Sequence, residues 1–146
     1  MVIKLLPRQI PMFWEAIKYA TINADEVDEG IRGAYLNDLL HSLLNSKAQC
    51  FVKLDNERRL QALIITKFTM DKITGEKNLF IMPFFSWKRA DLEDWMEDFL
   101  LIKKFAEQEE CKYITFNSRN PRVWESGQAL GFTEGLRMFS LDLGGQ

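Results

Sequence analysis

The sequence Asn120-Pro-Arg-Val-Trp-Glu-Ser-Gly-Gln-Ala-Leu-Gly131-Phe132 predicts a short helix together with its end. The helix is expected over residues 121–130, because a glycine directly after a helix is the usual C-terminal cap. A β-rich run over residues 136–143 follows, and another covers residues 113–117 on the other side. The C-terminal third of the chain therefore predicts a strand, a helix and a last strand.

The segment before this unit carries the strongest helix pattern in the chain. Asp91 is a good N-cap, and Asp94 approximates the partner residue of a capping box, so the helix is expected to open at Asp91. Acidic residues lie on one side of it and an apolar stripe on the other. The stripe consists of Leu92, Trp95, Met96, Phe99, Ile102 and Ala106.

The first part of the chain predicts a strand, two helices and three further strands. The strand at 2–6 stops at Pro7, and a helix begins near Gln9 with Pro11 in its first turn, where a missing amide costs nothing. A second helix starts from the segment 28–30, and its apolar residues share one face: Ile31, Tyr35, Leu39 and Leu43. The runs 49–54, 60–70 and 78–85 predict an antiparallel meander, whose hairpin loop contains Gly75 at a position free to take positive φ. The full order is β-α-α-β-β-β-α-β-α-β.

Composition and charge exclude several classes of protein. The chain has 146 residues, of which 47% are hydrophobic and 12% aromatic, which is typical of a single packed domain spanning residues 1–146. The net charge of −2 gives no global basic field of the kind that nucleic-acid binders carry. The start of the chain is too short and too charged for a signal peptide, and no apolar run approaches a membrane span. We expect a soluble protein of the cytoplasm.

The residues that most often bind metals or act as nucleophiles are few and scattered. His41, the only histidine, lies off the apolar face of its helix and is expected to be solvated. Without a second histidine, neither a histidine-based metal site nor a histidine-based triad is expected. Cys50 and Cys111 stand far apart and belong to no Cys-x-x-Cys pair. Buried free thiols, consistent with a reducing compartment, are the expected state.

The element order, taken with the closing segment, resembles the GNAT (GCN5-related) N-acetyltransferases over essentially the whole chain. These proteins often carry Asn-x-x-Ala-x-x-x-Tyr-x-x-x-Gly-Phe before their last strand, and Asn120, Gly131 and Phe132 match that pattern at the same spacing. The resemblance implies an α/β (α+β) fold with a mixed, mostly antiparallel central sheet flanked by helices. It also implies a cleft for acetyl-CoA beside the segment Ile81-Met-Pro83, which matches the start of the family's cofactor-binding stretch.

The loop that would hold the cofactor departs from the family's pattern. Its small-residue positions fall on Arg89 and Asp91, whereas glycines there normally let the backbone amides approach a pyrophosphate. Asp91, Glu93 and Asp94 crowd the first helical turn, where their carboxylates would satisfy the free amides and repel a second anion. An ordinary, well-capped helix is therefore favoured over a phosphate site.

The expected catalytic groups are also missing. The tyrosine that often serves this family as general acid falls at Gly127, which has no proton to donate. The central runs 60–69 and 78–85 contain no Asp or Glu to act as a base. No catalytic residue is predicted.

Four cationic side chains follow the ends of two neighbouring strands, beside the cleft that the resemblance implies, and could bind an anion there: Lys88, Arg89, Arg119 and Arg122. Their alternative role is as solvated loop charges that could pair with the acidic helix. Trp87 beside Lys88 and Arg89 would also suit single-stranded nucleic acid, but one aromatic residue without a basic groove gives little support for it.

Two functions follow from these observations. The first is a GNAT-like domain with a degenerate acetyl-CoA site and no cofactor, which binds another protein or takes part in an assembly. The sequence also resembles small GNAT-like proteins of tailed bacteriophages, some linked to head or virion assembly, through its β-α-α start, the turn at 74–80 and its closing segment. On that reading the chain would lie in the bacterial host cytoplasm or the virion, and its binding surfaces would be the empty cleft and the helix face of Glu93, Glu97 and Lys104.

The second function is an acetyl-CoA-dependent N-acyltransferase with an atypical loop. The resemblance then implies that the cofactor lies against these residues: Ile81, Met82, Phe84, Lys88, Arg89, Arg119, Asn120 and Arg122. Proximity and a polarising backbone amide can supply much of the acceleration for attack by an amine on a thioester, so the missing side chains do not decide the question.

Overall fold

The computed structural model describes residues 2–24, 28–82, 85–86, 92–118, 120–135 and 138–144, with the backbone alone at 85–86 and 92–95. Within these ranges the helices are α1 (Ile10–Ala24), preceded by the 3-10 turn Pro7–Gln9, α2 (Arg32–Leu44), α3 (Leu92–Gln108) and α4 (Pro121–Ala129). The strands are β1 (Val2–Lys4), β2 (Ala48–Leu54), β3 (Leu60–Met70), β4 (Lys77–Ile81), β5 (Phe85–Ser86) and β6 (Tyr113–Phe116).

The strands form one mixed, six-stranded sheet in the order β1-β2-β3-β4-β6, with β5 paired to β3. Every pair is antiparallel except β4 and β6, which run parallel. The predicted meander of β2, β3 and β4 and the mostly antiparallel sheet flanked by helices are therefore confirmed. The parallel pair arises because α3 carries the chain across the sheet between β4 and β6.

Alternate residues of β2 supply two hydrophobic clusters. Cys50 and Val52 belong to the cluster formed with α1 and α2, which contains Ile10, Ile17, Leu39 and Leu43. Phe51 belongs to the other, with Leu79 of β4 and with Ile102 and Ala106 of α3. Because successive side chains of a strand point to opposite faces, the two clusters lie on opposite faces of one sheet.

Polar contacts inside the sheet are satisfied by neighbouring strands. Thr66 is fully buried, and its hydroxyl donates to Oε1 of Gln49, its direct partner across β2 and β3, over 2.9 Å. The side-chain amide nitrogen of Gln49 donates in turn to the backbone carbonyl of Ser46. On the face that α3 covers, Nζ of Lys53 lies 2.9 Å from Oδ2 of Asp98, and this ion pair connects β2 to α3.

Three predictions about elements need correction. No strand is present in residues 138–144, where the last strand was expected, and Met138 and Phe139 are almost fully exposed there. Met96 of the predicted apolar stripe is 47% exposed, whereas Ile102 and Ala106 are buried as expected. Ile31 precedes α2 rather than lying within it and is also exposed. The expected N-cap Asp91 lies outside the described residues.

Other predictions about single residues are confirmed. Pro11 occupies the first turn of α1, His41 is exposed on α2, and Gly75 has a φ of +73°. Gly131 has a φ of +99° directly after α4, so the chain leaves this helix in a conformation that favours glycine. Both cysteines are free thiols; Cys50 is buried as predicted, whereas Cys111 is only half-buried.

Candidate cofactor site where two parallel strands diverge

The end of the parallel strand pair is the candidate site. β4 and β6 pair from Asn78 and Tyr113 to Ile81 and Phe116. Beyond Ile81 the chain continues along β3 as β5, while β6 ends at Phe116 and leads towards α4. The two strands therefore separate at their carboxyl ends, which is where α/β sheets usually form ligand crevices.

A one-residue irregularity accompanies this separation. Ile81 pairs with Thr66, and Phe85 pairs with Leu63, so four steps along one strand match three along the other. The pairing of this part of the chain with β3 therefore changes register by one residue between Ile81 and Phe85, beside the end of the parallel pair.

Two of the predicted cofactor residues, Ile81 and Met82, lie at this point. Met82 is buried, and its amide donates to the carbonyl of Ile65 on β3 over 2.8 Å. That amide is therefore committed to the sheet, and a ligand lying here would have to use other backbone groups. Phe84 falls outside the described residues.

Asn120 and Arg122 lie on the other side of the gap, at the start of α4. The side-chain carbonyl oxygen of Asn120 accepts a hydrogen bond of 3.0 Å from the backbone amide of Arg122, which makes Asn120 the N-cap of α4. Its own backbone amide donates to Oγ of Ser118, and the indole N–H of Trp124 donates to the Ser118 carbonyl. Asn120 thus holds the turn into α4, while the Arg122 side chain is exposed.

Gly127 is packed against Phe116. A Cβ atom added at Gly127 would lie 2.6 Å from Cζ and 2.9 Å from Cε1 of the Phe116 ring, which is closer than such atoms approach. The Phe116 ring also packs edge-on against Phe132, with ring centroids 5.0 Å apart, and Phe132 contacts Phe99 of α3. Aromatic rings therefore fill the space into which a side chain at position 127 would project.

This aromatic cluster of Phe99, Phe116 and Phe132 was not predicted from the sequence. Phe132 was singled out only through its place beside Gly131, and Phe116 only as part of an apolar run. A hydrogen bond from the Phe132 amide to the Gly127 carbonyl, 2.9 Å long, fixes the ring beside α4. A glycine within a helix was the one available signal of a close contact there.

The described part of the site contains few charges. Of the four predicted cations only Arg122 is described, because Lys88, Arg89 and Arg119 lie outside the described residues. Neither β4 nor β6 contains an Asp or Glu. The carboxyl groups with a lowered pKa lie in turns elsewhere: Asp55, through backbone amides of Arg59 and Glu57 and the Arg59 side chain, and Asp71, through the amides of Thr74 and Ile73.

The described residues form neither a metal-binding cluster nor a membrane-spanning helix. No group of three or more His, Cys, Asp or Glu side chains in this part of the chain is arranged to hold a metal ion. Among the helices of the described ranges, none combines the length and apolar character that crossing a bilayer requires. An open, mainly apolar concavity of about 540 Å³ lies between α1 and the start of β3, lined by Glu15, Ala16, Tyr19 and Leu60, and involves neither β4 nor β6.

Neither a family model nor a curated protein matches the sequence, whereas solved structures match the fold closely. A structure described as a probable acetyltransferase is 9% identical, with a TM-score of 0.75 over 100% of this chain and 99% of its own. A predicted acetyltransferase with acetyl-CoA from Clostridium acetobutylicum is 14% identical, with a TM-score of 0.70 over 98% and 96%. An aminoglycoside antibiotic 6′-N-acetyltransferase from Acinetobacter baumannii is 12% identical, with a TM-score of 0.71 over 97% and 96%.

These similarities extend over nearly the whole of each chain, although the identities are too low to transfer a substrate. They agree with the mixed, mostly antiparallel sheet flanked by helices described above. The chain has the fold of the GNAT N-acetyltransferases.

Proposed function

We propose that this chain is a GNAT-like domain that no longer transfers acetyl groups and serves as a binding or assembly module. The observation that carries the proposal is the contact between Gly127 and Phe116, because a ring fills the place of a side chain at position 127. A proton donor at this position is therefore absent, and the packing around it favours a structural role. The lack of carboxylates on β4 and β6 supports the same conclusion.

The partner in this proposal is another protein or an assembly. The resemblance to small GNAT-like proteins of tailed bacteriophages favours a role in head or virion assembly, with the chain in the host cytoplasm or the virion. Glu97 and Lys104 are exposed on α3, as a contact surface requires. The side chain of Glu93, the third residue of that surface, lies outside the described part.

The second candidate function is an acetyl-CoA-dependent N-acyltransferase. It is supported by the separation of β4 and β6 beyond Ile81 and Phe116, which leaves a gap between two parallel strands. A neighbour with this fold was crystallised with acetyl-CoA, so cofactor binding is possible for the fold. In this case Arg122 would contribute a positive charge beside the gap.

Calorimetric titration with acetyl-CoA separates the two functions. The proposal expects no heat of binding at millimolar acetyl-CoA, and no release of CoA above the uncatalysed rate with a panel of amine acceptors. Circular dichroism of the same sample confirms that the protein is folded. Saturable binding with turnover of any amine would contradict the proposal.

A pair of matched variants identifies the site if binding occurs. Arg122→Ala should then weaken acetyl-CoA binding by about tenfold, since a charge-assisted contact to phosphate would be lost. Arg59→Ala, in the turn between β2 and β3, should leave the affinity unchanged. This result would favour the acyltransferase function. If the Arg122→Ala variant bound acetyl-CoA as tightly as the Arg59→Ala variant, the ligand would lie away from α4.

A further inference from the structure

The helix α3 exposes apolar side chains on the side that faces away from the sheet. Ile102 and Ala106 are buried in the cluster that α3 forms with the sheet. Three other apolar residues of the helix are exposed to solvent: Met96 by 47%, Leu100 by 61% and Leu101 by 36%. A group of exposed apolar residues on one element usually marks a surface of interaction. The outer side of α3 therefore has the character of an interface.

Opposite charges lie before and after these apolar residues. Glu97, Leu100 and Lys104 follow one another by three and four positions, the spacing that places side chains on the same side of a helix. All three are exposed. Met96 and Leu101 flank this line of residues, and we call the five residues together the α3 face. The α3 face is negative towards the start of the helix, apolar in the middle and positive towards its end.

The two charges of the α3 face have no partners in the described part of the chain. Glu97 and Lys104 are separated by seven positions, about 10 Å along the helix axis, which is too far for them to pair with each other. Among the described residues no ion pair involves either side chain. The α3 face therefore presents two unpaired charges of opposite sign at a fixed separation.

This pattern is complementary to a second copy of itself. In a pair of chains related by a two-fold axis, each contact from one residue to another occurs twice. Two antiparallel α3 helices that cross between Leu100 and Leu101 bring Glu97 of each copy beside Lys104 of the other. The apolar residues then meet at the centre, and an ion pair lies on either side of them. A different protein would have to supply the reverse pattern, whereas a second copy already carries it.

We propose that the protein forms a two-fold dimer through antiparallel α3 helices, with Leu100 and Leu101 at the crossing point. Packed helices commonly cross at about 50°, so the contact is confined to the middle turns, and the ends of α3 at Glu93 and Glu107 diverge. The inference rests on the contact surface that the proposed function assigns to α3, and it names a second copy as the partner. It does not depend on the loss of acetyl transfer, so the titration with acetyl-CoA and the tests of the dimer can fail separately.

Sedimentation equilibrium of the full chain tests the oligomeric state. A contact between two helices is small among specific interfaces, so the mass should rise with concentration from 17.1 kDa towards twice that value. A range from roughly 10 μM to 1 mM covers the dissociation constants of such weak pairs. Leu100→Gln should weaken the dimer by about tenfold or more, because it removes the apolar centre of the contact. A wild type that stays monomeric at the highest concentration would overturn the proposal.

Charge reversal tests the pairing of Glu97 with Lys104. Glu97→Lys and Lys104→Glu should each weaken the dimer by about tenfold or more, since each replaces two attractive contacts by two repulsive ones. An equal mixture of the two variants should dimerise again, because every contact in the mixed pair joins opposite charges. The double variant Glu97→Lys/Lys104→Glu should dimerise for the same reason.

Matched controls make the same changes of charge in exposed turns away from α3. Glu57→Lys and Lys72→Glu should dimerise as the wild type does. If Glu97→Lys and Lys104→Glu also dimerise as the wild type does, or if their mixture stays monomeric while circular dichroism shows both folded, the proposal is wrong. The wild type gives a test without a variant, since raising the salt from about 0.05 M to about 0.5 M should weaken its dimer several-fold by screening the exposed pairs.

Disulfide trapping tests the antiparallel direction. In a background of Cys111→Ser, the Leu100→Cys variant carries its thiol next to the two-fold axis and should link two copies under mild oxidation. Lys104→Cys should not, because its two copies lie about 10 Å apart along the helices. A parallel pair would instead bring residue 104 of one copy beside residue 104 of the other. Linkage through Lys104→Cys as fast as through Leu100→Cys would therefore contradict the proposal.

Discussion

Gly127 is expected to be less tolerant of substitution than any exposed helical glycine. Gly127→Ala should destabilise the protein by about 1–3 kcal/mol, because its methyl group would be forced into the Phe116 ring and overpacking costs about that much. Urea unfolding measures the change. Gly33→Ala is the matched control, since Gly33 lies in the first turn of α2 with open space around its Cβ position.

The control should be neutral or stabilising by up to about 1 kcal/mol, because alanine restricts the unfolded chain more than glycine does. In a Phe116→Leu background the cost of Gly127→Ala should fall, since the atoms it would contact are removed. Equal effects of Gly127→Ala in both backgrounds would show that the contact with Phe116 is not the cause.

The two cysteines are expected to differ strongly in reactivity. Cys50 is fully buried, and burial raises the pKa of its thiol to about 12, so its thiolate is scarce at neutral pH. Cys111 is half-buried; desolvation raises its pKa, and the charge of Lys77 opposes that effect. Iodoacetamide at pH 8 should give one slow adduct, at Cys111, by intact-mass analysis. Modification of both thiols at similar rates in the native protein would contradict this order.

Single residues were predictable where local chain geometry alone sets their role. The cap at Gly131 and the solvated His41 required only the helix pattern. The contact of Gly127 with Phe116 joins residues from two elements, and nothing in the spacing of either indicates their distance. Asn120 caps α4 in the structure, and the cofactor roles that the resemblance implies for it and for Phe84, Lys88, Arg89 and Arg119 stay predictions.

The ion pair between Lys53 and Asp98 is expected to contribute to the attachment of α3. Both side chains are largely buried at 24% and 15% exposure, so removing one partner leaves a poorly solvated charge. Asp98→Ala should reduce the free energy of unfolding by about 1–3 kcal/mol. Asp98→Ala and Lys53→Met together should cost less than the sum of the two single changes, as a double-mutant cycle measures. Strict additivity would show that the pair contributes nothing.

Acid should weaken the hairpin between β3 and β4 through Asp71. The Asp71 carboxylate accepts the amides of Ile73 and Thr74 at 2.8 and 2.9 Å, and these bonds hold its pKa below the ordinary value of 3.8. The stabilisation is therefore present above that ordinary value and lost as the pH falls through the lower pKa of the folded state. Asp71→Asn should reduce stability at pH 7, with the difference from wild type shrinking as the pH falls below about 4. Chemical unfolding at a series of pH values measures it, and a difference that stays constant down to pH 2 would argue against this role.

The elements were predicted well where a hydrophobic pattern and a packing surface coincide. β3 spans residues 60–70 as expected, and α4 differs from its predicted range by one residue. The prediction of one strand over 78–85 missed the change of register between Ile81 and Phe85, because that change depends on pairing with β3 rather than on the residues of β4. The last strand was predicted from a β-rich run over 136–143, and residues 138–143 of that run have no partner strand among the described residues.

Both hydrophobic clusters should melt together, since they share β2 and β3. Ile17→Ala on one face and Ile102→Ala on the other should each cost about 2–5 kcal/mol, because both side chains are fully buried. Each variant should still show a single unfolding transition, with tryptophan fluorescence and far-ultraviolet circular dichroism coinciding. Separate transitions for the two probes in either variant would show that the faces unfold independently.

The alternation of β2 between the two clusters also limits how this protein can evolve. Successive side chains of β2 contribute to opposite faces, as Cys50, Phe51 and Val52 do. One apolar residue can therefore replace another at each position without changing the architecture. A single inserted or deleted residue would exchange the faces of every side chain after it, and both clusters would lose their members at once. Lineages of this chain should therefore vary freely in the identity of β2 residues, while changes in chain length accumulate in turns such as 71–76, where Ile73 is 95% exposed.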